Sequence, residues 1–235
     1  MKALLVRVGA DQSKKGGGWN GLVDRTTKEF IYAAVPEFNP REGFERPYSL
    51  LSPFLARWNA ALPEWLANGH MHLDPDFGHL TYGDRNQRAK QIKSKVGKND
   101  LLVFYAGLRS IQSQPRLVYA IIGLYVIDEI VPAADIPVSR WQENAHTRYG
   151  KGPDESDLVV RACQTNSGRL DRCLPIGEYR DNAYRVRRQL LETWGGLSVN
   201  DGYLQRSARL PEFKDAERFY KWFTNQGSKL VRRNN

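Results

Sequence analysis

The run Leu101-Leu102-Val103-Phe104-Tyr105-Ala106, set between Asn99-Asp100 and Gly107, constrains the fold most. It is too short for a helix, it has breakers at both ends, and it carries Val, Phe and Tyr, so it reads as a buried strand. A second apolar run, Val118 to Ile127, follows after a polar connection containing Gln112, Gln114 and Pro115. The two runs suit a hairpin with a protruding loop.

The other segments supply strands and helices. Ala3 to Val8 reads as a first strand running into a glycine-rich loop with Asp11, Lys14, Lys15, Gly16, Gly17, Gly18, Trp19 and Asn20. No Gly-Lys-Ser/Thr ending marks that loop as a phosphate cradle. Glu29 to Val35 is expected to be a second strand ending at Pro36-Glu37, and Pro40 to Pro53 a turn-rich loop. Leu51 to Leu66 has helical spacing, with Phe54, Leu55, Trp58 and Leu62 on one face and Pro63 ending or restarting it. Asp84 opens a basic helix, Arg85 to Val96, and can cap it. Ser139 to His146 looks helical, Leu158 to Cys163 a strand, and Ser167 to Leu170 a turn. Tyr184 to Trp194 reads as a basic helix, and Pro211 to Phe223 as an amphipathic one. With no internal repeat and no clear linker, the expected fold is α/β (mixed α+β). It is one domain over 1–235, with a central mixed or partly barrel-like sheet flanked by helices.

Charge points to a partner. The 235-residue chain carries a net charge of +9, a surplus that suits a polyanion such as nucleic acid. The basic helices offer Arg85, Arg88, Lys93, Arg185 and Arg188 to a DNA backbone. Its two cysteines, Cys163 and Cys173, form no Cys-x-x-Cys pair, which argues against a zinc ribbon; a disulfide between them is open but unforced, and a reduced cytoplasmic setting is the simpler reading. The N-terminus does not read as a signal peptide, and no run reaches the length of a membrane span.

Polar and aromatic residues at strand ends mark a possible site. Asp84 is the first choice for a catalytic carboxylate and Asp11 the second; each sits in or beside a loop next to an expected strand. Trp19 and Asn20 offer a stacking surface and an amide to a base or sugar. Glu37 can bind a sugar hydroxyl, and Tyr82 and Tyr105 can stack on a base. His72 and His146 can act as acids or hydrogen-bond donors. Arg7, Asp74, Arg109 and Arg169 complete the expected wall. The His70–His79 stretch raises the question of a metal, but no second ligand cluster or His-x-x-x-His spacing is visible, so a polar cleft wall is expected and no metal or other cofactor.

Several of these segments together resemble a known family. They are Lys2 to Gly9, Val35-Pro36-Glu37, His72-Leu73-Asp74-Pro75, Thr81-Tyr82-Gly83-Asp84, Asp100 to Leu108 and Ile122 to Val126. They resemble the third family of nucleotide-modification-associated domains, over roughly residues 1–175, leaving 176–235 as a basic helical extension. The resemblance implies association with phage and defence loci that handle hypermodified DNA bases, and a likeness to glycosylases that remove glucosylated hydroxymethylcytosine. The expected function is then a monofunctional DNA glycosylase that leaves an abasic site in double-stranded phage DNA, with no obligate protein partner. A carboxylate would stabilise the positive charge that builds on the deoxyribose as the N-glycosidic bond breaks. The alternatives are a non-catalytic reader of modified bases and an enzyme that alters modified nucleotides.

Overall fold

The computed structural model describes residues 1–13, 18–113, 116–204 and 208–235. Lys14, Lys15, Gly16, Gly17, Gln114 and Pro115, singled out above, lie outside these. The chain begins with β1 (Ala3–Arg7), β2 (Leu22–Val23) and β3 (Val35–Glu37), followed by short helices α1 (Ser52–Ala56) and α2 (Glu64–Ala67). Next come β4 (His70–His72), β5 (Thr81–Asp84), α3 (Asn86–Lys95), β6 (Leu101–Ser110) and β7 (Val118–Pro132). The remainder is β8 (Leu158–Ala162), β9 (Gly168–Pro175), β10 (Gly177–Arg180), β11 (Ala183–Val186), α4 (Arg188–Trp194), α5 (Ala216–Thr224) and β12 (Leu230–Val231).

The two apolar runs form the antiparallel centre of an eight-stranded mixed sheet. β1 pairs parallel with β6, and β2 continues that line by pairing with Arg109 and Ser110. β9 and then β8 pair with β7, with β12 outside β9 and β5 outside β8. Leu101 to Leu108 are all buried, because strands or packed side chains surround β6 on every side. That explains the unbroken apolar run. Gly123 interrupts β7 for a steric reason: a Cβ there would stand 2.7 Å from Cζ of Phe77. The Phe77 ring instead meets Phe104 and Tyr125 edge-on, with centroids 5.9 and 5.7 Å away.

The helices follow the same logic. α3 buries Ala89 and Ile92, spaced by one turn, and leaves Lys90 and Lys93 exposed. α5 buries Phe219 and Phe223 and packs on α4, where Trp194 stands edge-on to Phe219 at 5.4 Å. Asp215 caps α5 by accepting the Arg218 N–H at 3.0 Å.

Local expectations differ from the structure where tertiary contacts override periodicity. Glu29 to Val35 is not a strand; Phe30 makes one isolated bridge to Val23, and the strand begins at Val35. A 3₁₀ turn, Tyr48–Leu51, lies inside the expected loop. The Leu51–Leu66 helix is two pieces, because Pro63 takes the N-cap of α2. Asp84 ends β5, and the N-cap of α3 is Arg85. Ser139 to His146 contains only a 3₁₀ segment, Val138–Glu143. Of the expected Ser167–Leu170 turn, Gly168 to Leu170 are the start of β9. Tyr184 to Trp194 divides into β11 and α4, since Glu178 and Tyr179 pair with Arg185 and Tyr184. The last amphipathic helix starts at Ala216.

Candidate functional site

The site forms where β5 leaves the sheet edge and meets the small β3–β4 ladder. Residues two apart on a strand share a face, so the Tyr82 hydroxyl reaches the Asp84 carboxylate and donates to Oδ2. Burial raises the Tyr82 phenol well above its ordinary value, which keeps that proton in place. Arg88, one turn into α3, brings Nε to 2.8 Å from Asp84 Oδ2 and donates from Nη2 to the Tyr82 hydroxyl at 2.8 Å. The other Asp84 oxygen accepts the Arg85 N–H at 3.0 Å.

On the opposite wall, β3 and β4 pair with Val35 opposite His72 and Glu37 opposite His70. The diagonal neighbours Glu37 and His72 meet, with Nδ1 2.6 Å from Oε2. Burial works against the Glu37 charge, yet the hydrogen bond and charge of His72 hold its carboxyl below the usual range. Between the walls sits His146. Its Nε2 is 3.5 Å from Asp74 Oδ2 and its Nδ1 is 3.1 Å from Asp157 Oδ2. Burial opposes the imidazolium, but the bonds to Asp157 and Asp74 overcome it and His146 is pushed up to about 10. A cation therefore sits between two carboxylates at neutral pH.

Asn144, fully buried, holds this corner together. Its amide donates to Asp74 Oδ1 at 3.3 Å and Thr81 Oγ1 at 3.2 Å, and its oxygen accepts the His146 N–H at 2.9 Å. Gly83 allows His146 to come close: a Cβ there would lie 2.7 Å from Asn144 Oδ1 and 2.9 Å from His146 Cγ. The Gly83 N–H donates to Asp74 Oδ1 at 2.7 Å. Among the described residues, one set of side chains gathers in the manner of metal ligands: one ligand atom each from His72, Asp74 and His146, all within 4.8 Å of one another.

These groups line a cleft of about 1400 Å³. Both favoured aspartates, Asp84 and Asp11, border it. So do Arg7, Glu37, His72, Asp74, Tyr82 and His146, together with Arg85 and Arg88 from the basic helix. Asp11 pairs with Arg7 at 3.5 Å. Arg88 turns inward to Asp84 and Tyr82, while Arg85 is exposed.

Other expected site residues stand elsewhere. Trp19 is buried, with the Arg109 guanidinium 5.9 Å from its ring centroid. Asn20 is buried and donates to the Gly107 carbonyl at 2.7 Å. Tyr105 gives its hydroxyl to the Leu204 carbonyl at 2.7 Å, beside a separate small pocket. Arg169 is buried in the sheet over the Phe30 ring at 3.8 Å and donates to the carbonyls of Phe30 and Leu170. Lys93 lies on the exposed side of α3. Arg185, on β11, faces Asp201 at 3.6 Å, and Arg188 is exposed at the start of α4.

Among the cleft residues that the sequence reading missed are Phe38, Trp65, Tyr149 and Asp157. Phe38 and Trp65 are 76% and 61% exposed, the most exposed aromatic rings among the described residues. Trp65 lay inside an expected helix, and Phe38 between an expected strand and the turn-rich stretch, so neither had a pattern to flag it. No helix among the described residues is long and apolar enough to cross a membrane.

Comparison with curated proteins gives no match. Among solved structures, the N-terminal domain of Thermococcus gammatolerans McrB bound to m5C DNA is similar over 97% of this chain and 99% of that one, at 13% identity. The TM-score is 0.39, too low to establish a shared fold. The family model described as nucleotide modification associated domain 3 matches residues 2–221, nearly the whole length. The chain belongs to the nucleotide modification associated domain 3 family.

Proposed function

We propose that the cleft binds a modified nucleobase drawn out of double-stranded DNA. The observation that carries this reading is that two exposed rings, Phe38 and Trp65, border a cleft also lined by several charged side chains. Large aromatic rings left in water at a cleft mouth are suited to stack on bases or to wedge between them. Inside, carboxylates, imidazoles and guanidinium groups alternate, which suits the hydroxyls and amides of a hypermodified base. At about 1400 Å³ the cleft exceeds the usual range for a drug-sized ligand and has room for an extruded nucleotide with its substituent. The net charge of +9 supports a polyanionic partner, and the family's description ties it to nucleotide modification. Fluorescence anisotropy with a duplex carrying a hydroxymethylated or glucosylated cytosine tests it. Phe38→Ala with Trp65→Ala should weaken binding by about 1–3 kcal/mol for each stacked base lost. Unchanged affinity in the double variant would remove the rings from the reading.

One observation favours a second reading, hydrolysis of the N-glycosidic bond. Asp84 and Asp11 border the same cleft, and Tyr82 and Arg88 fix Asp84 in place. Such a carboxylate can stabilise an electron-poor deoxyribose and orient water. On this reading Asp84→Asn abolishes base release while DNA binding is largely kept. Alkali-labile sites formed equally by Asp84→Asn and the parent would exclude Asp84. Tight binding with no alkali-labile sites leaves the chain a reader.

A further inference from the structure

We propose that His72, Asp74 and His146 form a binding site for one divalent transition-metal ion of the iron-to-zinc row. The inference goes beyond base recognition and does not depend on it. Three features carry it. First, two imidazoles and one carboxylate present ligand atoms within 4.8 Å of one another on the cleft wall. An ion at about 2.0–2.2 Å from each needs those atoms to close by roughly an ångström. Second, each imidazole already has its Nδ1 side committed to a carboxylate: Glu37 for His72 at 2.6 Å and Asp157 for His146 at 3.1 Å. That is the outer arrangement that orients metal-bound histidines and leaves Nε2 for the ion. Third, Asp74 is fixed through one oxygen only. Its Oδ1 accepts from the Gly83 N–H and the Asn144 amide, while Oδ2 faces His146 Nε2.

The donor set narrows the chemistry. Two nitrogens and one oxygen suit iron, cobalt, nickel or zinc better than magnesium or calcium, which prefer all-oxygen sets. Because all three residues line the cleft, the ion keeps open positions facing it. The three ligands come from β4, the loop before β5 and the loop after Val138–Glu143. No local spacing motif in the sequence brings them together.

The test uses the full chain without an affinity tag. Titration with Zn²⁺ by calorimetry, and with Co²⁺ followed by visible absorption, should give one site per chain. His72→Ala and Asp74→Ala should each remove that site. Glu37→Gln, which touches no ion, should weaken Zn²⁺ binding about 10–100-fold while circular dichroism stays unchanged. His79→Ala, on the partly exposed neighbouring turn, should bind as the parent does. If Asp74→Ala fails to fold, His72→Ala and Glu37→Gln still decide the matter, because the His72 side chain is partly exposed. Absence of a stoichiometric site in the parent, or binding unchanged in His72→Ala, overturns the proposal. DNA affinity plays no part in this readout, so its outcome stands apart from that of the base-binding reading.

Discussion

A methyl group at position 83 tests the architecture of the cleft more sharply than removal of any charge. Gly83 sits in β5 with ordinary strand neighbours, so alanine has no intrinsic conflict with the backbone there. The conflict is steric: the added carbon would lie 2.9 Å from His146 Cγ and 2.7 Å from Asn144 Oδ1. His146 Cδ2 would stand closer still, and carbon atoms pack at about 3.5 Å or more, so the ring must retreat by roughly an ångström. It has no free direction. Asp74 and Asp157 hold its two nitrogens, and Asn144 holds its backbone. Overpacking of this kind costs about 1–3 kcal/mol, and loosening one hydrogen bond to a charged group adds to it; together they give roughly 2–4 kcal/mol. For a domain of this size that is a fall in Tm of about 4–16 °C. Calorimetry or urea titration reads it directly. Gly97→Ala is the control, since a Cβ at Gly97 meets nothing within 4 Å. Equal stability of Gly83→Ala and Gly97→Ala would refute the claim that His146 is locked against β5.

Three further outcomes follow from buried and exposed charge. Asp76 and Arg148 are both buried and paired at 2.9 Å, so Asp76→Asn strands a guanidinium and should cost about 3–5 kcal/mol by urea titration. Burial opposes the Asp76 charge, but His79 and Arg148 hold its carboxyl below the usual range; its contribution is therefore present above the ordinary carboxylate pKa and lost as pH falls further. Burial pushes the Cys173 thiol up to about 12, so an alkylating reagent should modify the partly exposed Cys163 and spare Cys173 until the chain unfolds; equal rates in the folded chain would contradict this. Exposed Arg85 at the cleft should lower the slope of log affinity against log salt by about 1 when changed to alanine, whereas Lys93→Ala at equal slope would show that Lys93 makes no phosphate contact.

What the sequence shows of the fold is the part set by local pattern. The apolar runs at Leu101 and Val118 pair as expected because their composition needs cover on both faces. The elements that differ lie where a residue's partner is remote. Tyr184 and Arg185 have helical neighbours in sequence, but pairing with Tyr179 and Glu178 makes them a strand. Arg169 looks like a surface arginine in a turn until β9 carries it, buried, over the Phe30 ring. The site is similar. Asp84, Tyr82, Glu37 and His72 are readable as polar groups at strand ends, and the fold brings them to one cleft. The gathering of His72 and Asp74 with His146 is not readable, because the third ligand arrives on a distant loop fixed by the amide of Asn144. Nor is the exposure of Phe38 and Trp65 at the cleft.

The central claim, that this cleft takes up a modified base, rests most directly on equilibrium affinity for duplexes that differ only at one cytosine. At a single fixed salt concentration, the parent should bind a duplex carrying a hydroxymethylated or glucosylated cytosine at least about tenfold more tightly than the unmodified duplex, the equivalent of roughly 1.4 kcal/mol. His72→Ala should erase that difference while leaving the salt-dependent, sequence-independent affinity in place. Equal affinity for all the duplexes, or discrimination that survives His72→Ala and Asp84→Asn alike, would contradict the account.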